Sequence, residues 1–177
     1  GDTSAEQLTW RLNSIHDPNH TYTGTGNRAQ GYDQWSTFYD KYLVTGAKVD
    51  IELVNSSDDE TIIAGWLIAT DGAEPVAISE CDMKTNGGTF LIPPATSKKF
   101  SRYVSLKTLR AVKDLMDTSD INGASFGQNP SGIAWFTLLL QDVAGASLLP
   151  YALKYNITYH TTLLRPVPLP PSKIEAN

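Results

Sequence analysis

The feature that most constrains the fold of this chain is a strict alternation of apolar and polar side chains over residues 42–55. Val49, Ile51 and Leu53 fall on one face of an extended chain, and the charged residues between them fall on the other. Successive side chains of a β-strand point to opposite faces, so this period of two is typical of a half-buried strand. It predicts a long strand with one face on a core.

Other segments have strand patterns separated by Gly-, Pro- and Asn-containing turns. They cover residues 7–15, 61–70, 98–106, 133–143 and 151–164. Residues 61–70 are apolar on both faces, as in a central or interface strand, and the short turn before them predicts a hairpin with the strand at 42–55. Residues 75–83 fit a helix or a strand equally well.

Two segments have helical spacing. Residues 33–42 carry aromatic side chains at i, i+3, i+4 and i+7, which predicts a short helix with one aromatic face formed by Trp35, Phe38, Tyr39 and Tyr42. Such a helix lies outside the sheets and has little core to fill, so we predict that these residues pack at a subunit boundary. Residues 106–117 predict a crossover helix, and residues 16–34 and 123–132 predict surface loops.

Together these elements predict an all-β fold, a single jelly-roll antiparallel β-sandwich with one or two short helices in its connections. The 177 residues suit one such domain, which we place at residues 1–165. Residues 166–177 contain several prolines, which lack the N–H that a strand must donate. We therefore expect this tail to run out as an extended, polyproline-like chain.

Composition limits the function classes. The 14 Lys and Arg residues against 19 Asp and Glu give a net charge of -5, which is not the basic excess of a self-sufficient nucleic-acid binder. Cys81 is the single cysteine, so no internal disulfide can form. No run of residues approaches the roughly 18 apolar residues of a membrane span, and we expect no membrane partner.

No motif supports catalysis. The loop containing His16, Asp17 and His20 lacks the further ligands and geometry of a zinc site, and Pro18 prevents a helical pair. The sequence has no G-x-S-x-G elbow, and His160 has no Asp or Ser near it in sequence. We therefore predict that the protein is not an enzyme and uses no metal and no cofactor.

One segment concentrates basic residues with aromatic residues between them. Its members are Lys98, Lys99, Arg102, Lys107 and Arg110. Cationic side chains hold phosphates and aromatic rings stack on bases, so this is the candidate nucleic-acid-binding surface. The alternative is a solvated strand face or a set of salt bridges across a subunit contact.

The segment GYDQWSTFYDKYLVTGAKVDIELVN, residues 31–55, resembles a block in the capsid proteins of circovirus-like viruses, which have circular single-stranded DNA genomes. The later order of a Lys-Lys pair, an Asn-Pro loop, an apolar strand and a Tyr-rich last strand is also similar. The resemblance covers about three quarters of the chain. It implies a jelly roll that self-assembles into an icosahedral shell around a circular single-stranded DNA genome. Those proteins usually carry an Arg-rich N-terminal arm, and this sequence shows none.

The predicted function is therefore that of a viral capsid protein whose partners are further copies of itself and the single-stranded DNA genome, with an unknown host receptor. Its location would be the virion, and the host nucleus or cytoplasm during assembly. The loops at 16–34 and 123–132 would face outward. The alternative is a non-viral, lectin-like jelly-roll module in which surface Trp and Tyr stack on sugar rings.

Overall fold

The computed structural model describes residues 5–21, 27–70, 77–143 and 150–168. Eight strands carry the fold: β1 (Glu6–Arg11), β2 (Tyr39–Asn55), β3 (Ile62–Ala69), β4 (Gly87–Ile92), β5 (Ser97–Ser105), β6 (Gly123–Ser125), β7 (Trp135–Asp142) and β8 (Tyr151–Pro166). Short helices lie in the connections: α1 (Tyr32–Trp35), α2 (Ile78–Met83), α3 (Leu106–Leu109) and α4 (Ser119–Asn122), with a 3-10 turn at Met116–Thr118.

The strands form two antiparallel sheets. The first sheet has the order β1-β7-β3-β4. In the second sheet β2 is central, because β8 pairs with it over residues 39–55 while β5 and β6 pair with its other edge. The order along the chain passes repeatedly from one sheet to the other. Because β5 and β6 share one edge of β2, the second sheet is three strands wide at any point, whereas the first sheet is four strands wide.

The predicted hairpin between β2 and β3 is wrong, since the two strands lie in different sheets. β3 pairs with β4 and β7 instead. The connection from β2 to β3 is stabilised by the buried side chain of Asn55, whose amide donates to the carbonyl oxygens of Glu60 at 2.8 Å and Ile92 at 3.0 Å. Apolar side chains of both β2 and β3 face the space between the sheets.

The core lies between the sheets and is rich in aromatic rings. Trp10 of β1 lies 5.8 Å from the Phe136 ring within its own sheet and 5.0 Å from the Tyr155 ring of the opposite sheet. The prediction that residues 61–70 form a central strand is confirmed by the pairing of β3 on both edges. Its outer face is apolar because α2 covers it, with Ile78 and Cys81 packed on Leu67.

The prediction of a helix over residues 33–42 is correct for the first turn and wrong for the rest. α1 ends at Trp35 and β2 begins at Tyr39, which pairs with Pro166 of β8. Pairing with β8 on one edge and β6 on the other satisfies the backbone of this segment, so long-range contacts override the local spacing. Tyr42 thereby enters the core.

The crossover helix predicted over residues 106–117 is also wrong as a continuous element. α3 ends at Leu109, and Ala111 has φ +52°, a left-handed conformation that a helix cannot continue through. The ambiguous segment at 75–83 contains α2, and the loop predicted at 123–132 begins with β6. The first strand ends at Arg11 rather than at residue 15, and residues 169–177 of the predicted tail lie outside the described residues.

Candidate nucleic-acid interface and subunit contact surface

β5 carries the first three residues of the basic segment and divides them between two faces. Phe100 points into the core, with its ring 5.1 Å from that of Trp66. Lys98 and Arg102 share its side of the strand, and the Arg102 guanidinium lies over the Trp66 ring at 5.0 Å from the centroid. Lys99 points to the outer face of the second sheet.

The outer face of the second sheet is neutralised by ion pairs. Lys99 Nζ lies 3.5 Å from a carboxylate oxygen of Glu52, and Lys48 Nζ lies 2.9 Å from one of Asp50. The hydroxyl of Ser101 donates to Asp50 at 2.6 Å, and this bond together with Lys48 holds the pKa of the Asp50 carboxyl below its usual value. The face is thus mixed in charge rather than uniformly basic.

The remaining two basic residues follow β5. Lys107 lies in α3 and is exposed. Arg110 is half-buried and donates to the carbonyl oxygen of Gly132 at 2.7 Å, and burial lowers its pKa. Lys98, Lys99, Arg102 and Lys107 are thus exposed, although Lys99 pairs with Glu52 and Arg102 lies over the Trp66 ring, whereas Arg110 is half-buried.

The four aromatic residues predicted at a subunit boundary separate into two groups. Trp35 and Phe38 are 51% and 47% exposed, and Tyr39 is half-buried with its ring 6.3 Å from that of Trp35. These three residues form the aromatic patch. Tyr42 is fully buried, and its hydroxyl donates to the carbonyl oxygen of Gln128 at 2.8 Å.

Neighbouring residues anchor the backbone on both sides of the aromatic patch. Gly31 precedes α1 with φ +83°, a left-handed conformation that glycine adopts without strain. Tyr32, the first residue of α1, is buried, with its ring 5.0 Å from that of Phe126. At the other end of the patch, the Phe38 carbonyl accepts a hydrogen bond from the Val167 N–H at 2.8 Å. The exposed rings of the patch offer apolar area of the kind that protein contacts bury.

A groove that the sequence analysis missed runs beside β8. Its volume is ≈ 640 Å³. The core-facing side chains of β8 form one wall, and the segment before and within α1 forms the other. Lining residues include Ile15, Ala29, Tyr32, Tyr155, Ile157 and Tyr159. The sequence indicates this groove only weakly. Residues 151–164 alternate as a half-buried strand does, but the pattern does not tell how many neighbouring strands that strand has.

Two polar side chains of the His16–His20 loop, Asp17 and His20, have partners within the subunit. Asp17 forms an ion pair with Arg11, and a second guanidinium nitrogen of Arg11 lies 2.9 Å from His20 Nδ1. Over the described parts of the chain, no group of three or more His, Cys, Asp or Glu residues is placed to hold a metal ion. No described helix has the length and hydropathy needed to cross a membrane.

Comparison with known proteins bears on the fold. No protein-family model matches the sequence, and no curated protein matches it. Among solved structures, a chain of Desmodium yellow mottle tymovirus is similar with a TM-score of 0.52 at 11% identity, covering 96% of this chain and 77% of that chain. The fold is a jelly roll. A rhinovirus-B5 chain gives a TM-score of 0.48 at 11% identity, with 100% of this chain and 69% of that chain covered.

A deletion mutant of the Penaeus vannamei nodavirus capsid protein, solved as a T=1 subviral particle, is also similar. Its TM-score is 0.44 at 11% identity, with 93% of this chain and 94% of that chain covered. The tymovirus likeness shows the fold, and at 11% identity the chemistry of the surfaces has to be argued from this chain's own residues.

Proposed function

We propose that this protein is a viral capsid subunit that self-assembles into an icosahedral shell around a circular single-stranded DNA genome, in a circovirus-like virus. The observation that carries the proposal is a jelly roll that matches a tymovirus chain over 96% of its length. The genome type is supported separately, by the resemblance of residues 31–55 to capsid proteins of circular single-stranded DNA viruses. The role is structural and assigns no catalytic residue, cofactor or metal.

Assembly needs apolar surface that is exposed on one subunit and covered by the next. The aromatic patch offers two half-exposed rings, Trp35 and Phe38, on a fixed support. Aromatic residues are enriched in the buried centres of protein interfaces. A closed shell repeats each contact symmetrically, so contacts that are individually weak hold the particle together.

Genome contact is proposed for Lys98, Lys99 and Lys107. These three cations are exposed: Lys98 and Lys99 leave opposite faces of β5 near its start, and Lys107 lies in α3, which follows β5 directly. With a net charge of -5 the protein as a whole does not attract a polyanion, so the contact must be local. Lys99 contributes least of the three, since Glu52 already neutralises part of its charge.

The test of the shell function is size-exclusion chromatography of the purified chain with negative-stain electron microscopy. We expect uniform spherical particles and a subunit that dissociates cooperatively when the particles are disrupted. A monomer at every salt concentration and pH, both for this chain and for the complete gene product, would refute the proposal. Such a result would favour the lectin-like module, which the structural similarities do not otherwise favour.

The test of the genome contact is a titration with single-stranded DNA at several salt concentrations. Replacing Lys98, Lys99 and Lys107 together by Ala should weaken binding and reduce the salt slope by about 2, since each phosphate contact on a single strand contributes about 0.7. The matched control replaces three exposed basic residues elsewhere, Arg28, Lys84 and Lys113. Equal losses in both triple variants would mean that binding follows net charge and that β5 and α3 form no site.

A further inference from the structure

A tyrosine ring crosses the central strand of the second sheet on its outer face. Tyr103 of β5 is 57% exposed. A β-carbon added at Gly46 of β2 would lie 2.5 Å from the Tyr103 hydroxyl oxygen and 3.0 Å from its Cζ atom, so the hydroxyl end of the ring lies over this glycine. Close approach of another group is a usual reason for a glycine within a strand. The ring thereby leans across β2, and its remaining surface is open to solvent.

His160 of β8 contacts this ring from the other side of β2. In the sheet register His160 lies opposite Gly46, whereas Tyr103 lies opposite Lys48, one outward-facing position further along. The Tyr103 and His160 rings meet edge to face, with their centroids 5.6 Å apart and their planes at 87°. This is a favoured geometry for aromatic pairs. Three strands therefore contribute to one exposed aromatic site, the stacking platform, which consists of Gly46, Tyr103 and His160.

Cations lie beside the stacking platform and further along the same face. Lys48 is the next outward-facing residue of β2 after the platform. Lys99 and Lys154 lie on either side of Glu52, and these three residues line a hollow of ≈ 320 Å³ in the sheet surface. Among the described residues on this face, from position 46 to the end of β2 and across from it, the three lysines stand against two carboxylates, those of Asp50 and Glu52. The face thus carries a local excess of one positive charge on a protein whose net charge is -5.

We propose that this face binds single-stranded nucleic acid, with one base stacked on Tyr103 and the phosphates of neighbouring nucleotides held by Lys48 and Lys154. Every base has a π-face that can stack on an aromatic ring, and each phosphate carries the charge that the lysines attract. Tyr103 lies about 13 Å along β5 from Lys99, at the edge of the hollow, a span that a few nucleotides cover. Lys99 contributes less than the other two lysines, because Glu52 already neutralises part of its charge.

The lysines separate this ligand from a sugar. A sugar ring also stacks on tyrosine, so the stacking platform alone suits both ligands. A neutral sugar gains nothing from cations placed along its path, whereas every phosphate of a nucleic acid does. On an acidic protein, a cation excess on the same face as the exposed ring therefore points to an anionic ligand with flat rings.

This inference deepens the proposed genome contact and rests on it for the identity of the ligand. It adds a stacked base to the contact. It also moves the centre of the contact from the segment formed by β5 and α3 to the face that β5, β2 and β8 share. The binding site lies within one subunit, so the inference and the shell function can fail separately.

The first test uses the unaltered protein in dilute, unassembled form with two labelled oligomers of equal length. One is oligothymidylate, and the other is an abasic strand with the same phosphates and no bases. Fluorescence anisotropy should show that oligothymidylate binds at least about 5-fold more tightly, which is the lower end of what stacking of one base on an aromatic side chain contributes. In NMR spectra the ring signals of Tyr103 and His160 should shift with oligothymidylate and much less with the abasic strand. Equal affinities would overturn the proposal, as would binding of neither oligomer.

Substitutions then assign the preference to the ring. Tyr103→Leu should abolish the difference between the two oligomers without changing the salt slope, because stacking releases no counterions, and Tyr103→Phe should retain the difference. Lys154→Ala should reduce the salt slope by about 0.7. The control is Leu91→Ala, which shortens a 58% exposed side chain on the first sheet and should change neither quantity.

Two results with the variants would overturn the proposal. One is a folded Tyr103→Leu protein that still prefers oligothymidylate. The other is a shift of the Tyr103 ring signals with a neutral oligosaccharide and none with oligothymidylate, which would identify a sugar as the ligand. Normal particles from a chain that fails these tests would leave the shell function standing. Binding of DNA that depends on Tyr103, in a chain that never assembles, would leave this inference standing alone.

Discussion

Phe38→Ala is the sharpest test of the aromatic patch. Trp35 also lines the groove beside β8, whereas Phe38 does not, so a change at Phe38 reports on the patch alone. A Phe side chain offers about 200 Å² for burial and Phe38 is 47% exposed, which leaves about 95 Å² for a neighbouring subunit to cover. At about 25 cal/mol per Å², that area contributes about 2.4 kcal/mol to each contact.

Loss of this contribution should weaken the subunit contact about 50-fold, because each 1.4 kcal/mol corresponds to a factor of ten. Light scattering over a series of protein concentrations measures the assembly threshold, and circular dichroism confirms that the variant is folded. The control is Met83→Ala, which removes an 81% exposed apolar side chain from α2 on the other sheet. A folded Phe38→Ala variant with the parental threshold would show that the patch is not a subunit contact.

Three further predictions concern stability and reactivity. Asn55→Ala removes three hydrogen bonds of a fully buried amide and should lower the free energy of unfolding by about 3 kcal/mol in urea titrations, while exposed Asn156→Ala should change it by less than about 0.5 kcal/mol. Burial, with Asp82 and Glu80 nearby, raises the pKa of the Cys81 thiol to about 11, so a thiol reagent should react only after unfolding, and rapid labelling of native protein would contradict this placement. Burial raises the pKa of Tyr42 to about 12, so the neutral hydroxyl stabilises the fold fully below pH 10 and this stabilisation is lost as pH rises from 10 to 12. Tyr42→Phe should therefore reduce the pH dependence of the free energy of unfolding in this range, and an unchanged slope would count against this placement of Tyr42.

The strand content and fold class could be predicted because alternation is a local property. Residues 48–53 alternate strictly between charged and apolar side chains, as a half-buried strand does, and β2 contains this segment. The apolar pattern of 61–70 correctly predicted a strand with neighbours on both edges. In each case the information lies within a few residues, and the physical cause is the period of two with which side chains leave an extended backbone.

Strand partners could not be predicted in the same way, because pairing depends on residues far apart in sequence. β2 and β3 are adjacent in the chain and were predicted to pair, yet the partner along the whole of β2 is β8, roughly a hundred residues later. Tyr42 illustrates the same limit, since its spacing from Trp35 and Phe38 fits a helix face as well as its alternation fits a strand. Backbone pairing with β6 and β8 decided between the two.

For the candidate surfaces, the sequence determined which residue types are present and the tertiary structure decided their surroundings. The basic segment is contiguous in sequence, but strand alternation divides Lys98 and Lys99 between opposite faces, and Glu52 from the neighbouring strand partly neutralises one of them. Among the described strands β8 pairs with β2 alone, and the sequence could not tell this, because whether a strand has one neighbour or two is a property of the assembled fold. Side-chain chemistry is encoded locally, whereas charge balance and backbone satisfaction are set by the neighbours that folding brings together.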